Sequence, residues 1–281
     1  MTHGLIPKQI RKIIEAALIE DIGTGDITTT AIVSRDKMGQ AKAVAKDDFI
    51  VAGIDIFRDV FIFLDESIQV KYLIGDGQKA NKGNTIAEVS GNLFYILQAE
   101  RVALNIFQRM CGVATLTSKY VEAVKGSKAK IMDTRKTLPG LRLLDKMAVV
   151  IGSGFNHRMG LYDGVLIKDN HIDVAGGITA AVNAQKTHLK KAIKIEVETK
   201  NLQEVQEALD CGVDIIMLDN MPIAAMKEVV SFIAGRALVE ASGNVSLQNV
   251  AAIAATGVDF ISVGELTHSA RAADISLKIS T

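Results

Sequence analysis

Short apolar runs alternate with helix-like segments over the C-terminal part of the chain. From about residue 112, stretches rich in Val and Ile are separated by segments of roughly ten to fifteen residues with helical spacing. This rhythm is typical of βα units and predicts a parallel sheet. Six strands are visible, fewer than the eight of a complete β/α barrel, and we place them at 129–134, 163–168, 193–198, 214–219, 237–242 and 259–264.

The first 110 residues follow another pattern, which predicts an α+β domain. An amphipathic helix is predicted from Lys8 to Ile19 and a long one from about Leu93 to Met110. Between them we expect short strands near 39–47, 68–74 and 85–91. The predicted domains are an N-terminal α/β domain at 1–111, a barrel-like domain at 112–266, and a C-terminal helix at 267–281 that can pack back on the first domain.

Each predicted strand of the second domain changes abruptly from apolar to polar at its carboxyl end. The change occurs at residues 133–136, 168–171, 198, 219, 242–244 and 264–265. Because parallel strands end at the same edge of a sheet, these polar residues should lie on one rim, where β/α proteins place their active sites. Solvation of loop starts would explain any single strand, but it explains six together poorly.

Composition narrows the kind of protein. Thirty-two Lys and Arg residues balance thirty-two Asp and Glu residues, so no overall field attracts nucleic acid or an anionic membrane. Two cysteines provide no disulfide framework, and the sequence contains no apolar run of membrane length. We therefore expect a cytoplasmic protein with small-molecule partners, without nucleic acid or membrane.

Cationic side chains cluster in two segments of the chain. Arg135 and Lys136 follow the first strand, and His157 and Arg158 follow two glycines, Gly152 and Gly154. An Arg offers a planar fork for a carboxylate, and a Lys offers a compact charge for a phosphate. Each pair alone is compatible with a solvated surface or a structural histidine, and its position on the rim favours an anion site.

Charged residues also end the next strands. Lys168 closes an apolar strand, where a lysine without a partner or a function is rare. Glu198 and Asp219 end neighbouring strands and suit either Mg²⁺ or ribose hydroxyl groups. Simple pairing of these carboxylates with Lys136 and Lys168 is the alternative.

The last two strands lead into small turns that contain Gly243 and Gly264. In β/α barrels the corresponding loops bind phosphate through backbone N–H groups. Capping of the following helix is the other explanation for polar residues such as Asn244. Together the rim predicts a pocket for a phosphorylated sugar and an organic acid.

Taken together, these residues resemble the quinolinate phosphoribosyltransferase family. The resemblance runs in order over nearly the full chain, and eight ordered blocks are more specific than any one of them. They are "EDIGTGDITT" (20–29), "ERVALN" (100–105), "DTRKTLPGLR" (133–142), "NHRMGLYDGVLIKDNH" (156–171), "IEVE" (195–198), "IMLDN" (216–220), "EASGNV" (240–245) and "SVGELTHS" (262–269).

The resemblance implies an N-terminal α/β sandwich, an incomplete β/α barrel of about six parallel strands, and a homodimer, with hexamers left open. It implies phosphoribosyl transfer from phosphoribosyl pyrophosphate to quinolinate with decarboxylation, giving nicotinate mononucleotide, CO2 and pyrophosphate in NAD biosynthesis. Mg²⁺ is the implied cofactor. Ser153 departs from the family, which usually has a third glycine there, and this concerns only the local loop shape.

The resemblance also implies residue roles. Lys136, Lys168, Glu198 and Asp219 would be catalytic, and Glu198 with Asp219 would serve the ribose and Mg²⁺. The implied substrate-binding residues are these four together with Arg101 from the partner subunit and Thr134, Arg135, His157, Arg158, Ser242, Gly243, Asn244, Ser262, Val263, Gly264 and Glu265. Arg135, His157 and Arg158 would surround quinolinate, the lysines would hold the pyrophosphate, and the two turns would hold the 5′-phosphate.

Three other functions are compatible with the residues. The first is a phosphoribosyltransferase of the same fold with another acceptor, such as the related protein found with molybdate transport genes. The second is a lyase or aldolase in which Lys168 forms a Schiff base. The third is a non-enzymatic protein that binds anionic metabolites. More than one guanidinium group favours an acceptor with two carboxylates over the first of these.

Overall fold

The computed structural model describes residues 7–189 and 193–280. The described residues form two compact units, one within Met1–Ser118, Thr137–Ser153 and Ser269–Thr281 and the other within Lys119–Lys136 and Gly154–His268. The predicted domain boundary after residue 111 stays a prediction. In these described ranges, no helix combines the length and the apolar character needed to cross a bilayer.

The elements follow one another in the order predicted for most of the chain. The helices are α1 Lys8–Ile22, α2 Ile27–Ile32, α3 Ile54–Leu64, α4 Leu93–Ala123, α5 Arg142–Ile151, α6 Asp169–Ala175, α7 Ile178–His188, α8 Leu202–Asp210, α9 Ile223–Ile233, α10 Val250–Ala254 and α11 Glu265–His268. The strands are β1 Met38–Ala45, β2 Phe49–Ile50, β3 Gln69–Tyr72, β4 Lys79–Ala80, β5 Thr85–Asn92, β6 Lys130–Met132, β7 Val165–Ile167, β8 Ile195–Thr199, β9 Ile215–Asp219, β10 Leu238–Ser242, β11 Phe260–Ser262 and β12 Ile275–Ser280.

The first unit contains an antiparallel sheet in the order β12-β1-β5-β3. Strand β1 alternates buried and more exposed positions, with Ala41, Ala43 and Ala45 fully buried. Small side chains on one face allow close packing on the core, as the period of two predicts. The amphipathic helix predicted at the N-terminus is α1, which buries Ile10, Ile14 and Leu18.

The helix predicted over 267–281 is wrong. The short helix α11 ends at His268, and residues 275–280 form strand β12, which pairs antiparallel with β1. Ile275, Leu277 and Ile279 alternate with polar residues in this segment, and an alternation with a period of two favours a strand over a helix. Thr281 lies outside the described residues.

The second unit contains a parallel sheet of six strands in the order β6-β11-β10-β9-β8-β7. All six predicted strands are present, five of them within the predicted bounds and β8 running one residue further, and the predicted α/β fold class is confirmed. All five residues of β8 are buried, as expected for a parallel strand covered on both sides. The edge strands of this described sheet, β6 and β7, are not paired with each other, so the barrel is incomplete.

The sheet register aligns the carboxyl ends of the central strands. Asp219 of β9 lies beside Ser242 of β10, and Met217 lies between Glu198 of β8 and Glu240 of β10. Since side chains two residues apart share a face, Glu196 and Glu198 extend from β8 on the same side. The rim predicted from the sequence is therefore present in the second unit.

Candidate active site

The segment that carries His157 and Arg158 continues the edge of the sheet. Phe155 donates its N–H to the carbonyl of Ile131 at 2.9 Å and accepts from the N–H of Asp133 at 3.0 Å, which forms a short parallel bridge beside β6. The N–H of His157 then donates to the buried Asp133 carboxylate at 2.9 Å. These contacts fix the backbone from which the side chains of His157 and Arg158 extend.

Two guanidinium groups come together on this part of the rim. Arg158 is half-buried, and its Nη1 donates to the carbonyl of Gly164 at 3.0 Å, just before β7. Burial and the positive charge of Arg135 lower the pKa of Arg158, whereas the charge of Glu196 raises it. Two positive charges that interact in this way repel each other, and an anion with two negative groups would relieve that repulsion.

A buried polar cluster lies beside these arginines and consists of His157, Glu196, Glu240 and Ser262. His157 Nε2 is 3.1 Å from a carboxylate oxygen of Glu196 and 3.7 Å from one of Glu240. Ser262 Oγ donates to the other carboxyl oxygen of Glu240 at 2.5 Å. Glu196 is 4% exposed and Glu240 is 0% exposed, so both carboxyl groups are removed from water.

Burial raises the pKa of both glutamates, to about 7 for Glu196 and about 8 for Glu240. The charge of Glu196 raises the pKa of Glu240 further, whereas the charges of Arg158 and Lys168 lower that of Glu196, so Glu240 is the carboxyl group that keeps its proton. The N–H of Arg158 donates to His157 Nδ1 at 2.7 Å. A neutral His157 therefore carries its proton on Nε2 and donates it to Glu196.

The raised pKa of Glu240 has a consequence for stability. Between its ordinary pKa of 4.5 and its folded value of about 8, the folded protein binds a proton that the unfolded chain has lost, so stability falls as pH rises through this range. In Glu240→Gln this loss is absent. We expect the free energy of unfolding of Glu240→Gln relative to wild type to increase by roughly 2 to 4 kcal/mol between pH 5 and pH 9.

Denaturant unfolding at a series of pH values measures this difference. Glu228→Gln, which changes an exposed glutamate of α9, is the matched control for removing one carboxylate. Parallel stability curves for wild type and Glu240→Gln across the range would contradict the assignment of the proton to Glu240.

Lys168, Glu198 and Asp219 meet on the neighbouring part of the rim. Lys168 Nζ is 3.4 Å from a Glu198 carboxylate oxygen, and the lysine side chain is about half exposed whereas that of Glu198 is nearly buried. Burial and the charge of Asp219 raise the pKa of Glu198, and the charge of Lys168 lowers it. The alternative expected from the sequence, pairing of a carboxylate with a lysine, is thus found for Glu198 and Lys168.

Asn220 links Asp219 to the turn after β10. Its side-chain N–H₂ group is 3.0 Å from both carboxylate oxygens of Asp219, and its carbonyl oxygen accepts from Asn244 at 2.9 Å. Gly243 has φ +90°, and a Cβ there would lie 2.3 Å from the Asn220 amide. Glycine is therefore required for a reason that sequence reasoning had not given, namely the close approach of Asn220.

The turn after β11 lies next to Lys136. A Cβ on Gly264 would be 3.0 Å from Lys136 Cδ, and Thr267 Oγ1 donates to the Lys136 carbonyl at 3.0 Å. Glu265 accepts a short hydrogen bond from the buried Tyr120 hydroxyl, so its side chain is held by the protein. Val263 is buried as well, so a ligand at this turn would meet its backbone rather than these two side chains.

Arg101, which is predicted to bind substrate from the partner subunit, belongs to the first unit. Arg101 has an exposed side chain on α4 in the first unit. Ser153 has φ +70°, a left-handed conformation that costs a non-glycine residue about 1 to 2 kcal/mol, which explains why a glycine is usual there. The roles assigned to individual site residues stay predictions.

Sequence reasoning missed Glu240, Asn220 and the side-chain role of Ser262. The signal for Glu240 is a glutamate within an otherwise apolar strand, which is as rare without a partner or a function as the lysine that ends the strand at Lys168. Nothing in the spacing of the sequence indicated that Ser262 donates to Glu240, because that contact depends on the sheet register.

Comparison with known families supports a single assignment. Residues 26–111 match the model described as the quinolinate phosphoribosyl transferase N-terminal domain, and residues 113–278 match that of the C-terminal domain. Both models together span most of the chain.

Individual relatives agree with these models. The chain is 46% identical to the mitochondrial quinolinate phosphoribosyltransferase [decarboxylating] 2b of Nicotiana tabacum, covering 97% of this chain and 82% of the relative. It is 41% identical to a probable nicotinate-nucleotide pyrophosphorylase [carboxylating] of Bacillus subtilis, covering 97% and 94%. The crystal structure of NadC from Streptococcus pyogenes superposes with a TM-score of 0.94 at 36% identity, covering 99% of each chain. The chain therefore belongs to the quinolinate phosphoribosyltransferase family.

Proposed function

We infer that this protein is an enzyme that transfers a phosphoribosyl group from phosphoribosyl pyrophosphate to quinolinate with decarboxylation. The products are nicotinate mononucleotide, CO2 and pyrophosphate, and the reaction belongs to NAD biosynthesis. The observation that carries this inference is the pair of mutually repelling guanidinium groups, Arg135 and Arg158, beside the Lys168–Glu198 pair on one rim. A diacid and a sugar pyrophosphate each find complementary charge there.

The acceptor site follows from the arginines. Each guanidinium group can form two parallel hydrogen bonds to a carboxylate, and each such charge-assisted bond is stronger than a neutral one. A pyridine with two adjacent carboxylates places one negative group near Arg135 and one near Arg158. The bound diacid replaces the repulsion between the guanidinium groups by two attractions.

The donor site follows from the adjacent lysines, carboxylates and turns. Lys136 and Lys168 can hold the pyrophosphate, and Glu198 and Asp219 can accept hydrogen bonds from the ribose hydroxyl groups. The turns at 242–244 and 262–265 present backbone N–H groups for the 5′-phosphate. The exposed half of the Lys168 side chain leaves its ammonium group available to turn from Glu198 to the pyrophosphate.

The chemistry requires positioning more than proton transfer. The pyridine nitrogen attacks the ribose carbon while the bond to pyrophosphate breaks, and pyrophosphate leaves with the electron pair. The bond between ring carbon 2 and its carboxylate then breaks and CO2 leaves. The electron pair stays beside the positive ring nitrogen until a proton from water replaces the carboxylate. Fixed cations near the leaving group lower the barrier of the first step.

We propose Mg²⁺ as the cofactor. Glu198 and Asp219 fit it because both offer oxygen ligands and are close enough for the charge of Asp219 to raise the pKa of Glu198. When bound, Mg²⁺ would neutralise charge on the pyrophosphate.

Removal of divalent cations should abolish turnover. We expect excess chelator to reduce product formation by at least about 100-fold, because the pyrophosphate then leaves without its metal. Added Mg²⁺ should restore the rate, and calorimetry should show weaker binding of phosphoribosyl pyrophosphate in the chelated sample. Full activity and unchanged binding after chelation would contradict the proposal.

The assembly and the location are also proposals. A homodimer would let the exposed Arg101 of one subunit enter the site of the other, and association of dimers into hexamers remains compatible with this arrangement. We propose a cytoplasmic location, which the sequence also led us to expect. The tobacco relative is named as mitochondrial.

A product assay tests the proposed reaction. The protein is incubated with phosphoribosyl pyrophosphate, Mg²⁺ and either quinolinate or the monoacid nicotinate, and nicotinate mononucleotide is measured. We expect product from quinolinate at a rate at least about 100-fold above that from nicotinate, because the monoacid leaves one guanidinium group without a partner. Preference for nicotinate would favour the other-acceptor alternative, and binding without any turnover would favour the metabolite-binding protein.

A further inference from the structure

We propose that Glu240, held by Ser262, is a positioning residue for His157. It fixes the orientation of the His157 ring and determines which ring nitrogen carries the proton. The ring in turn fixes the backbone N–H of Arg158 and so the point from which the arginine side chain extends. This proposal rests on the proposed function for its effect on quinolinate. Its structural part concerns His157 alone and is measured without any substrate.

The first step is the position of Glu240. Its side chain is fully buried on β10, with one carboxyl oxygen bonded by Ser262 Oγ at 2.5 Å and the other 3.7 Å from His157 Nε2. Two carboxyl groups and an imidazole whose ligand atoms lie within 4.8 Å of one another cost free energy to bury. An apolar side chain would fill the same strand position more stably, so the arrangement points to a role in the adjacent site.

The second step is the series of contacts that links Glu240 to Arg158. Glu240 Oε2 lies 3.7 Å from His157 Nε2, and a Glu196 carboxylate oxygen lies 3.1 Å from the same nitrogen. His157 Nδ1 accepts the N–H of Arg158 at 2.7 Å. Both ring nitrogens thus contact protein groups, and the ring connects the buried glutamates to the loop that carries Arg158.

The third step is the consequence for binding. A ring that can rotate or change its protonated nitrogen no longer fixes the N–H of Arg158. Binding of the acceptor must then also order the guanidinium group, and the entropic cost of this ordering weakens the binding. The lysines, Asp219 and the predicted phosphate-binding turns are held by contacts that do not involve His157. Binding of the sugar substrate should therefore be affected much less.

The experiment compares Glu240→Met with Glu240→Gln. Methionine has a similar volume and provides no strong hydrogen bond, whereas glutamine keeps one acceptor for Ser262 and one donor for Glu196. We expect Glu240→Met to raise KM for quinolinate by about tenfold or more, with KM for phosphoribosyl pyrophosphate changed by no more than about twofold. Glu240→Gln should stay within about threefold of wild type for both substrates.

Nitrogen-15 NMR of the histidine rings supplies the readout that a purely structural role would not move. The chain has five histidines, and the resonances of His157 are assigned by their loss in His157→Gln. Wild type and Glu240→Gln should show the ring protonated on Nε2, and Glu240→Met should show a mixture of tautomers. Ser262→Ala, which releases Glu240 from its other partner, should shift the population in the same direction.

The outcomes separate the positioning role of Glu240 from the proposed function. If Glu240→Met folds and leaves both the His157 tautomer and KM for quinolinate unchanged, the positioning role is overturned. If Glu240→Met does not fold, an unchanged tautomer in Ser262→Ala overturns it equally. If wild type forms no nicotinate mononucleotide, the proposed function fails, while the NMR measurement still decides the role of Glu240.

Discussion

Replacing Lys168 by Ala is expected to lower kcat/KM by roughly 100- to 1,000-fold, the effect of removing one group that stabilises developing charge. Lys168 ends β7 on the rim, and its ammonium group is 3.4 Å from Glu198. The substitution removes a cation for the departing pyrophosphate and leaves the nearly buried Glu198 carboxylate without that partner. Steady-state kinetics with both substrates varied measure the loss, and activity close to wild type would remove Lys168 from the mechanism.

Lys168→Arg distinguishes charge stabilisation from Schiff-base chemistry. An arginine keeps the positive charge but provides no amine that can condense with a carbonyl group. We expect Lys168→Arg to recover at least about tenfold of the activity lost in Lys168→Ala, on the scale of one charge-assisted contact. Equal inactivity of both variants, together with borohydride trapping of a carbonyl substrate on wild type, would favour a lyase.

Replacing Arg135 by Ala is expected to raise KM for quinolinate by roughly 10- to 150-fold. This range corresponds to the loss of a charge-assisted, bidentate contact of about 1.5 to 3 kcal/mol. Arg135 is near enough to Arg158 to lower the pKa of that residue, so the two groups act on one ligand. KM for phosphoribosyl pyrophosphate should change much less.

Two variants control this result. Arg135→Lys keeps the charge and loses the planar fork, so an intermediate KM is expected. Arg236→Ala removes an exposed arginine whose guanidinium group donates to backbone carbonyls near the end of α9 and lies over the Phe232 ring, and KM for quinolinate should stay at the wild-type value. A KM for quinolinate unchanged in Arg135→Ala would show that the diacid binds elsewhere.

The parallel sheet and its rim follow from the sequence because each depends on local patterns. A buried parallel strand is a continuous apolar run, and its carboxyl end is marked by the first polar residue, as Lys168 and Asp219 show. The helix predicted beyond Thr267 failed for a related reason. Strand β12 gains its stability from pairing with β1 more than 200 residues earlier, and a window over the C-terminus alone does not contain that partner.

The second layer of the site depends on distances between strands. Ser262 and Glu240 lie on β11 and β10, and His157 reaches them from a loop beside β6. The sequence identifies these residues as polar but gives no register, and the register decides which of them share a face. Asn220 was missed in the same way, because its contact with Asn244 joins two loops.

Release of labelled CO2 from quinolinate tests the central claim most directly, that one rim holds a diacid beside an activated sugar. Quinolinate labelled in its 2-carboxylate is incubated with the protein and Mg²⁺, with and without phosphoribosyl pyrophosphate. We predict release of labelled CO2 only when phosphoribosyl pyrophosphate is present, in equal amounts with nicotinate mononucleotide. Release without the sugar substrate, or formation of a nucleotide that retains the label, would contradict the account.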